Sequence, residues 1–586
     1  MLNTNFIFDF KVNEDWQVGG FLRGEYFNNY VESTSASTNG GLVVPNRYFM
    51  GNSRNTVTGS GSGSVSGTKT MLSLVGQATA SFRDLLFLEV TGRNDWTSAM
   101  VYADGHGNYS YFYPSFSASW LLHETFDMPK SISFFKLRAS IAQVGNDTDP
   151  YIINTAYSVS QFNHDNNGTS YMTIPSSVYD QNLKPERKTS WEVGVDYRMF
   201  ANRIGIDATF YKENTRDQIM SVSLPGASGV SSAYINAGNI QNVGVEVALN
   251  TIPVETKDFS WDLNFTFTKN WSKIVELSDL VANYIKLQGD PDYGNYRIGS
   301  VAKVGGTYGI LMSDKMPMKD YTYDENGNIT GGSGLPVLYN WQTNYGTTLI
   351  RRSGTVEEIG NSVPDFLGSV NTGIRFKRFT IRASFDARFG GYVASYPSHY
   401  GTAYGYLATA LKGANAAHGG VSYTSRWDGI SYDDGIIPEG IFPAGTKIPQ
   451  PDGSSYEVGG GKYGTGETFE EVYNKGYVDP CHASSWTYYI NSWGNGVVND
   501  NWFTKLNYIA FRDLSVSWAI PDKWASAIRC QGINFQANAH NLGYLLNTMP
   551  NKENPESVRG TAASEFRIRN MQGVTTYFTF TINARF

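Results

Sequence analysis

The last ten residues, YFTFTINARF, place Phe578, Phe580, Ile582, Ala584 and Phe586 on one face. Tyr577, Thr579, Thr581, Asn583 and Arg585 fall on the other. Alternation with a period of two belongs to a strand whose two faces meet different surroundings. WDLNFTFTKNW repeats it: Trp261, Leu263, Phe265, Phe267 and Trp271 oppose Asp262, Asn264, Thr266, Thr268 and Asn270, with Lys269 the exception on the apolar face. In FTIRASFDARF, Phe379, Ile381, Ala383, Phe385, Ala387 and Phe389 alternate with Thr380, Arg382, Ser384, Asp386 and Arg388. The pattern predicts fifteen strands, near residues 5–12, 16–27, 70–82, 85–97, 110–121, 133–144, 189–200, 203–213, 235–250, 259–272, 365–376, 379–390, 505–520, 532–541 and 574–586.

The connections decide between two architectures. A soluble sandwich would also alternate. Here short connections around Glu14, Arg83, Ala201, Val254 and Lys377 alternate with long ones at 28–69, 98–109, 145–188, 214–234, 273–364, 391–504 and 542–573. Short periplasmic turns and long extracellular loops are the habit of a transmembrane barrel. The expected fold is therefore all-β, a transmembrane antiparallel β-barrel.

Composition agrees with a β-rich membrane wall. The 586 residues include 38 Tyr, 33 Phe, 13 Trp and 61 Gly, with only 17% charged. No run of 18 apolar residues occurs, which excludes a helical span and leaves a barrel open. Trp16, Trp96, Trp120, Trp191, Trp261, Trp271 and Trp518 fall near strand ends, where amphipathic rings suit the headgroup level. The net charge of −7 comes from scattered acids without a basic stripe, so nucleic acid is not an expected partner. The two cysteines, Cys481 and Cys530, fall in a long loop and near a turn, positions that do not suggest a disulfide.

Fifteen antiparallel strands leave two edges in lipid. Counting back from a last strand that ends in the periplasm makes the first strand an even-numbered one, and about seven more would give the 22 strands of plugged transporters. A parallel closure of an odd number exists among barrels, yet fifteen strands would then make a narrower one. The expectation is that residues 1–586 are a C-terminal portion, about 15 of 22 strands, with the plug and first strands absent from this chain. The opening MLNTNFIFDF also lacks the basic and apolar regions of an export signal.

Several long motifs, in order along the chain, resemble SusC/RagA-type TonB-dependent transporters: GRNDWTS at 92–98, SYFYPSFSASW at 110–120, FFKLRASIAQVGNDTDPY at 134–151 and LKPERKTSWEVGVDYRMF at 183–200. INAGNIQNVGVEVAL at 235–249, GNSVPDFLGSV at 360–370, NLGYL at 541–545 and the terminal Phe586 continue the likeness. The resemblance implies an outer-membrane importer of oligosaccharide or oligopeptide. It also implies a plug-bearing N-terminal portion, drive from the TonB complex and a SusD-like lipoprotein lid. A passive porin and a structural or adhesive surface barrel are the rival readings; porins have 16–18 strands.

The chemistry of enzymes is not in evidence. GxSxG, HExxH and P-loop patterns are missing, and seven His are scattered without a cluster. No catalytic residue, cofactor or metal ligand is expected. GSGSGSVSG at 59–67 reads as a loop tip, and DENGN at 324–328 lacks the terminal Glu of a calcium loop. Glu192, Asp196, Asp262 and Asp386 fall on the polar face beside Arg198, Arg382 and Arg388, a pattern of hydrogen bonds and ion pairs inside a lumen. The 391–504 loop exceeds what a connection needs and carries Tyr477, Trp486, Tyr488, Tyr489 and Trp493, with Asn491 and Asn495 between them. Tyr339 and Trp341 decorate the 273–364 loop. Tyr339, Trp341, Trp486, Tyr488, Tyr489 and Trp493 are the candidate ligand contacts, since flat rings stack on sugars and flank peptides alike. Phe578, Phe580, Ile582 and Phe586 are the candidate signal for barrel assembly, a role that the resemblance implies.

Overall fold

The computed structural model describes residues 1–31, 37–45, 47–57, 67–164, 167–224, 226–278, 281, 284–290, 298–340, 348–491, 503–558, 564–569 and 573–586. They form two units: Met1–Val247 with Trp271–Ile285, and Ala248–Asn270 with Lys286–Phe586.

In the first unit the wall strands are β1 (Leu2–Lys11), β2 (Trp16–Val31), β3 (Gly67–Phe82), β4 (Leu86–Thr97), β5 (Ser110–Leu121), β6 (Ile132–Asn146), β7 (Glu186–Met199), β8 (Ile204–Arg216) and the start of β9 (Asn239–Glu255). Each lies beside its neighbours in sequence, and the ladders from β1 to β8 are antiparallel. Tight turns set the register. Arg83 and Asp84 between β3 and β4, and Phe200, Ala201 and Asn202 between β7 and β8, all take positive φ, the backbone that lets twisted strands reverse within a few residues.

The second unit carries β10 (Phe259–Glu276) for most of its length, β11 (Phe366–Phe376), β12 (Phe379–Phe389), β13 (Tyr508–Ala519), β14 (Gly532–Asn547) and β15 (Tyr577–Arg585), again in sequence order. Its ladders show why alternation matters. Phe259, Phe376, Phe379, Trp518, Phe535 and Ile582 pair across six strands in one row. The next row is Ser260, Arg375, Thr380, Ser517, Gln536 and Thr581; the one after it is Trp261, Ile374, Ile381, Val516, Ala537 and Phe580. Apolar and polar rows alternate because every strand keeps the same phase, which a one-residue slip would destroy.

All fifteen predicted strands are present, with two informative departures. Strand β14 runs to Asn547, past the expected end at 541. It passes a bulge in which Asn541 and Gly543 take positive φ, and the β13–β14 register shifts opposite it, around Arg512. Such a bulge adds a residue and re-aims a side chain, so the NLGYL motif and Arg512 share one irregularity. The long connections, expected only as loops, fold on themselves. In the second unit, strand pairs such as Ile441–Pro443 with Gly466–Thr468 enclose a core of Leu338, Ile350, Phe442, Ile448, Val458, Phe469, Val472, Val478 and Cys481. Helices α1 (Tyr396–Ala403), α2 (Phe469–Asn474) and α3 (Ala483–Asn491) belong to this region. Thr468 caps α2 with a reciprocal bond to Glu471, satisfying two end donors. Cys481 and Cys530 are both buried and form no disulfide with each other. Among the described residues no helix is long and apolar enough to cross a membrane.

Candidate functional site

The inner face of the wall is built from the polar rows. In the first unit Arg93 of the GRNDWTS motif stands at its centre. Its guanidinium donates to Glu25 of β2 at 3.1 Å, to Ser73 of β3 at 2.9 Å and to Asp95 of its own strand at 2.8 Å. Tyr113 of β5 donates to the other oxygen of Asp95. Glu25, Ser73, Asp95 and Thr97 are buried, so each charge is partnered as burial requires. Two glycines make room for such groups. A side chain at Gly194 would meet the Arg138 guanidinium at 2.4 Å, and one at Gly244 would meet the Tyr211 ring at 2.2 Å. Arg138 is thereby free to reach Asp207 at 2.6 Å. Closer to the short turns the same face opens on a cavity of about 820 Å³, whose polar lining includes Asp9, Gln77, Glu89, Lys136, Arg138 and Glu192.

In the second unit the ion pairs differ from the expected grouping. Asp386 pairs with Arg512, at 2.7 Å through Nη2, while Arg388 donates to the Ser362 carbonyl at 3.0 Å. The bulge turns Arg512 toward the polar face, where it also takes Glu556 of the last long connection at 2.6 Å. In the first unit Asp196 and Arg198, neighbours on β7, pair with each other at 2.8 Å, as their spacing suggests.

The candidate aromatics of the outer connections divide. Tyr489 turns inward: its hydroxyl accepts from the Ile350 backbone N–H at 3.0 Å and lies 3.3 Å from the Ile350 carbonyl. Burial pushes this hydroxyl up to about 12, against the opposing effect of the Ile350 bond. Trp486 packs on the loop core and lies 5.6 Å from the Tyr489 ring. Tyr339 sits under the Arg351 guanidinium at 5.8 Å. Tyr477 stacks on Tyr456. Tyr488 points out to solvent. Trp341, Trp493 and Asn495 lie outside the described residues, as does most of the 59–67 tract.

Two rings that the sequence did not single out join Tyr488. Tyr404 and Tyr406 are exposed, with Tyr404 6.0 Å from Tyr488 and 6.5 Å from Tyr406, and Tyr400 stacks behind Tyr404 at 6.4 Å. The YGTAYGY spacing at 400–406 was the available signal. The loop core is held by Glu467, a buried carboxylate that takes Lys475 Nζ, the Tyr456 hydroxyl and the Gly459 N–H, each at 2.8 Å. Burial alone would raise its pKa; these donors outweigh it and hold the group below the usual carboxylate range. Asp324 of the DENGN segment spends its carboxylate inside its own turn, on the Asn326 and Asn328 amides. No cluster of three metal-binding side chains occurs among the described residues.

A wall with one apolar and one polar face, short turns at one end and folded connections at the other defines an outer-membrane β-barrel protein. A sequence profile described as TonB dependent receptor-like, beta-barrel matches residues 2–542, and the chain belongs to that family. TonB-dependent receptor P3 of Formosa agariphila is 26% identical over 349 residues, 55% of this chain and 33% of that protein. TonB-dependent receptor SusC of Bacteroides thetaiotaomicron is 27% identical over 292 residues, 46% of this chain and 28% of that one. Among solved structures, the RagAB peptide transporter aligns with a TM-score of 0.64 at 15% identity, over 99% of this chain and 55% of that one. The "open-open" state of the RagAB peptide importer gives 0.62 at 16%, over 100% and 54%. The chain thus spans about half the length of its structural relatives, and shares their fold.

Proposed function

We propose that this chain forms the wall of a TonB-dependent importer that takes up oligosaccharides or oligopeptides across the outer membrane. It would work with a SusD-like surface lipoprotein and the TonB complex, without catalysing a reaction. The observation that carries the reading is the charged inner face, with its partnered network at Arg93 and its cavity of about 820 Å³, within a family of TonB-dependent receptors. An inner surface of fixed, paired charges suits a lumen that holds a plug, and the plug-bearing portion belongs to the proposal. Outside, Tyr404, Tyr406 and Tyr488 are the rings best placed to meet substrate, because Trp486 and Tyr489 are engaged in loop packing. Tyr339 and, outside the described residues, Trp341 and Trp493 remain in the proposed contact set.

The test is uptake of labelled oligosaccharides and peptides by cells carrying the intact protein, with and without an inner-membrane proton gradient. Uptake that stops when the gradient is dissipated supports the importer; gradient-independent uptake marks a porin, and none at all a surface barrel. Removing the Tyr488 ring should weaken substrate binding about three- to tenfold, the worth of one aromatic contact.

A further inference from the structure

The connection between β13 and β14 contains a short helix, α4 (Asp522–Ala527). Ala525 is fully buried and Cys530 nearly so, and these seat the segment on the wall. Trp524 and Ile528, one helical turn apart on one side, are 61% and 62% exposed. The helix is fixed in that orientation. Arg378, in the turn between β11 and β12, donates to Asp522 at 3.0 Å and to the Ile520 carbonyl at 2.9 Å.

The position of this pair decides what covers it. Trp518 belongs to the apolar row Phe259, Phe376, Phe379, Trp518, Phe535 and Ile582, the last outward row that crosses all six strands before the short turns. Trp518 stacks on Phe379 and on Phe535, and Trp524 sets its ring edge-on to Trp518 at 6.2 Å. Trp524 and Ile528 therefore extend the lipid-facing aromatic row by one step beyond the strand ends. Lys523 and Arg529 flank them and are exposed.

We propose that α4 is an interfacial anchor in the periplasmic leaflet. Trp524 and Ile528 sit at the boundary between headgroups and acyl chains, and Lys523 and Arg529 reach the lipid phosphates. The occupant is phospholipid because the patch is continuous with a surface that already faces lipid. A Trp ring beside basic side chains is also the chemistry of that depth. The inference goes beyond the import reading and rests only on the wall spanning a membrane.

The experiment places a nitroxide at Ile528→Cys, and separately at Ser526→Cys on the opposite face, in the intact protein reconstituted in phospholipid vesicles. Both native thiols are buried, so unsubstituted protein gives the labelling background. Collision rates with oxygen and with a water-soluble nickel chelate are read by electron paramagnetic resonance. Oxygen should dominate at 528 and the nickel chelate at 526. Nickel access at both positions overturns the anchor, and so does shielding of 528 from both reagents, which marks a protein partner. A label at Ile381→Cys, in mid-wall, separates failure of the anchor from failure of the membrane reading. If the 528 variant does not fold, Trp524→Cys gives the same readout.

Discussion

At the scale of single residues, phase along a strand decides which substitutions the wall accepts. Ile381 pairs with Ile374 on one side and Val516 on the other, in an apolar row, and is half exposed to the surroundings of the wall. Thr266 pairs with Ser369 across β10 and β11, their hydroxyls 2.6 Å apart on the polar face. An arginine at Ile381 would carry its charge into hydrocarbon and should cost about 2–4 kcal/mol in a refolding titration, whereas Thr266→Arg should leave stability nearly unchanged. Equal costs at the two positions would mean that the faces are misassigned. This much was legible from the sequence, because period-two alternation is a local property of each strand. What each charge pairs with was not. Asp386 has Arg388 two residues away and Arg382 four residues away on the same face, yet it takes Arg512, which only the bulge beside Asn541 and Gly543 turns toward it. A register shift of one residue leaves no trace in the hydropathy of either strand.

At the scale of elements, the outer connections hold themselves together by contacts between segments distant in sequence, which explains why their length was legible and their folding was not. In the first unit Met100 of one connection and Ile153 and Leu183 of another form one small core. His106 clasps it. The imidazole Nδ1 faces Asp104, its Nε2 faces the Gln181 carbonyl at 3.0 Å, and its ring stacks on Tyr102 at 4.4 Å, whose hydroxyl donates to the Asp180 carbonyl. Both ring nitrogens meet acceptors, so the protonated imidazolium fits best. The Gln181 carbonyl first, and Asp104 next, raise the histidine pKa above its ordinary value. A raised folded-state pKa means the clasp contributes fully below about 6.5, the unfolded value, and is lost as pH rises through the folded value. Hydrogen exchange in residues 98–109, corrected for intrinsic rate, should therefore show weaker protection at pH 9 than at pH 6. His106→Gln should abolish that difference; protection that ignores pH in the unsubstituted protein would dismiss the clasp. The last strand makes a different demand. Phe578, Phe580, Ile582 and Phe586 all stand exposed, and we propose that this face is read during insertion. Deleting Phe586 should lower the amount of protein inserted in cells far more than it lowers the stability of protein already folded, with unchanged insertion leaving Phe586 a packing role alone.

At the scale of the whole molecule, the edges of the wall set the strongest constraint. Among the described residues of its unit β1 pairs on one side only, with β2, and among those of its own unit β15 pairs on one side only, with β14. Both strands are solvent-exposed along nearly their whole length, with Phe6, Ile7 and Phe10 open on β1 and Phe580 81% exposed on β15. An edge in hydrocarbon leaves a row of N–H and C=O groups unpaired at several kcal/mol each, and two such rows exceed the roughly 5–15 kcal/mol by which a fold is stable. Covering them is compulsory. Direct pairing of β1 with β15 would join two strands that run the same way, a closure known in odd-numbered barrels, but it would narrow the wall and leave less room for a plug. The chain meanwhile covers only 55% of the RagAB transporter chain, which it matches along 99% of its own length. We therefore predict that in the intact assembly about seven further strands stand between β1 and β15, giving the 22 of plugged transporters, and that a plug fills the polar interior they complete. A structure of that assembly checks it. Backbone ladders from Leu2–Lys11 and from Tyr577–Arg585 to strands outside this chain's fifteen would support the prediction, and a ladder joining the two segments directly would refute it.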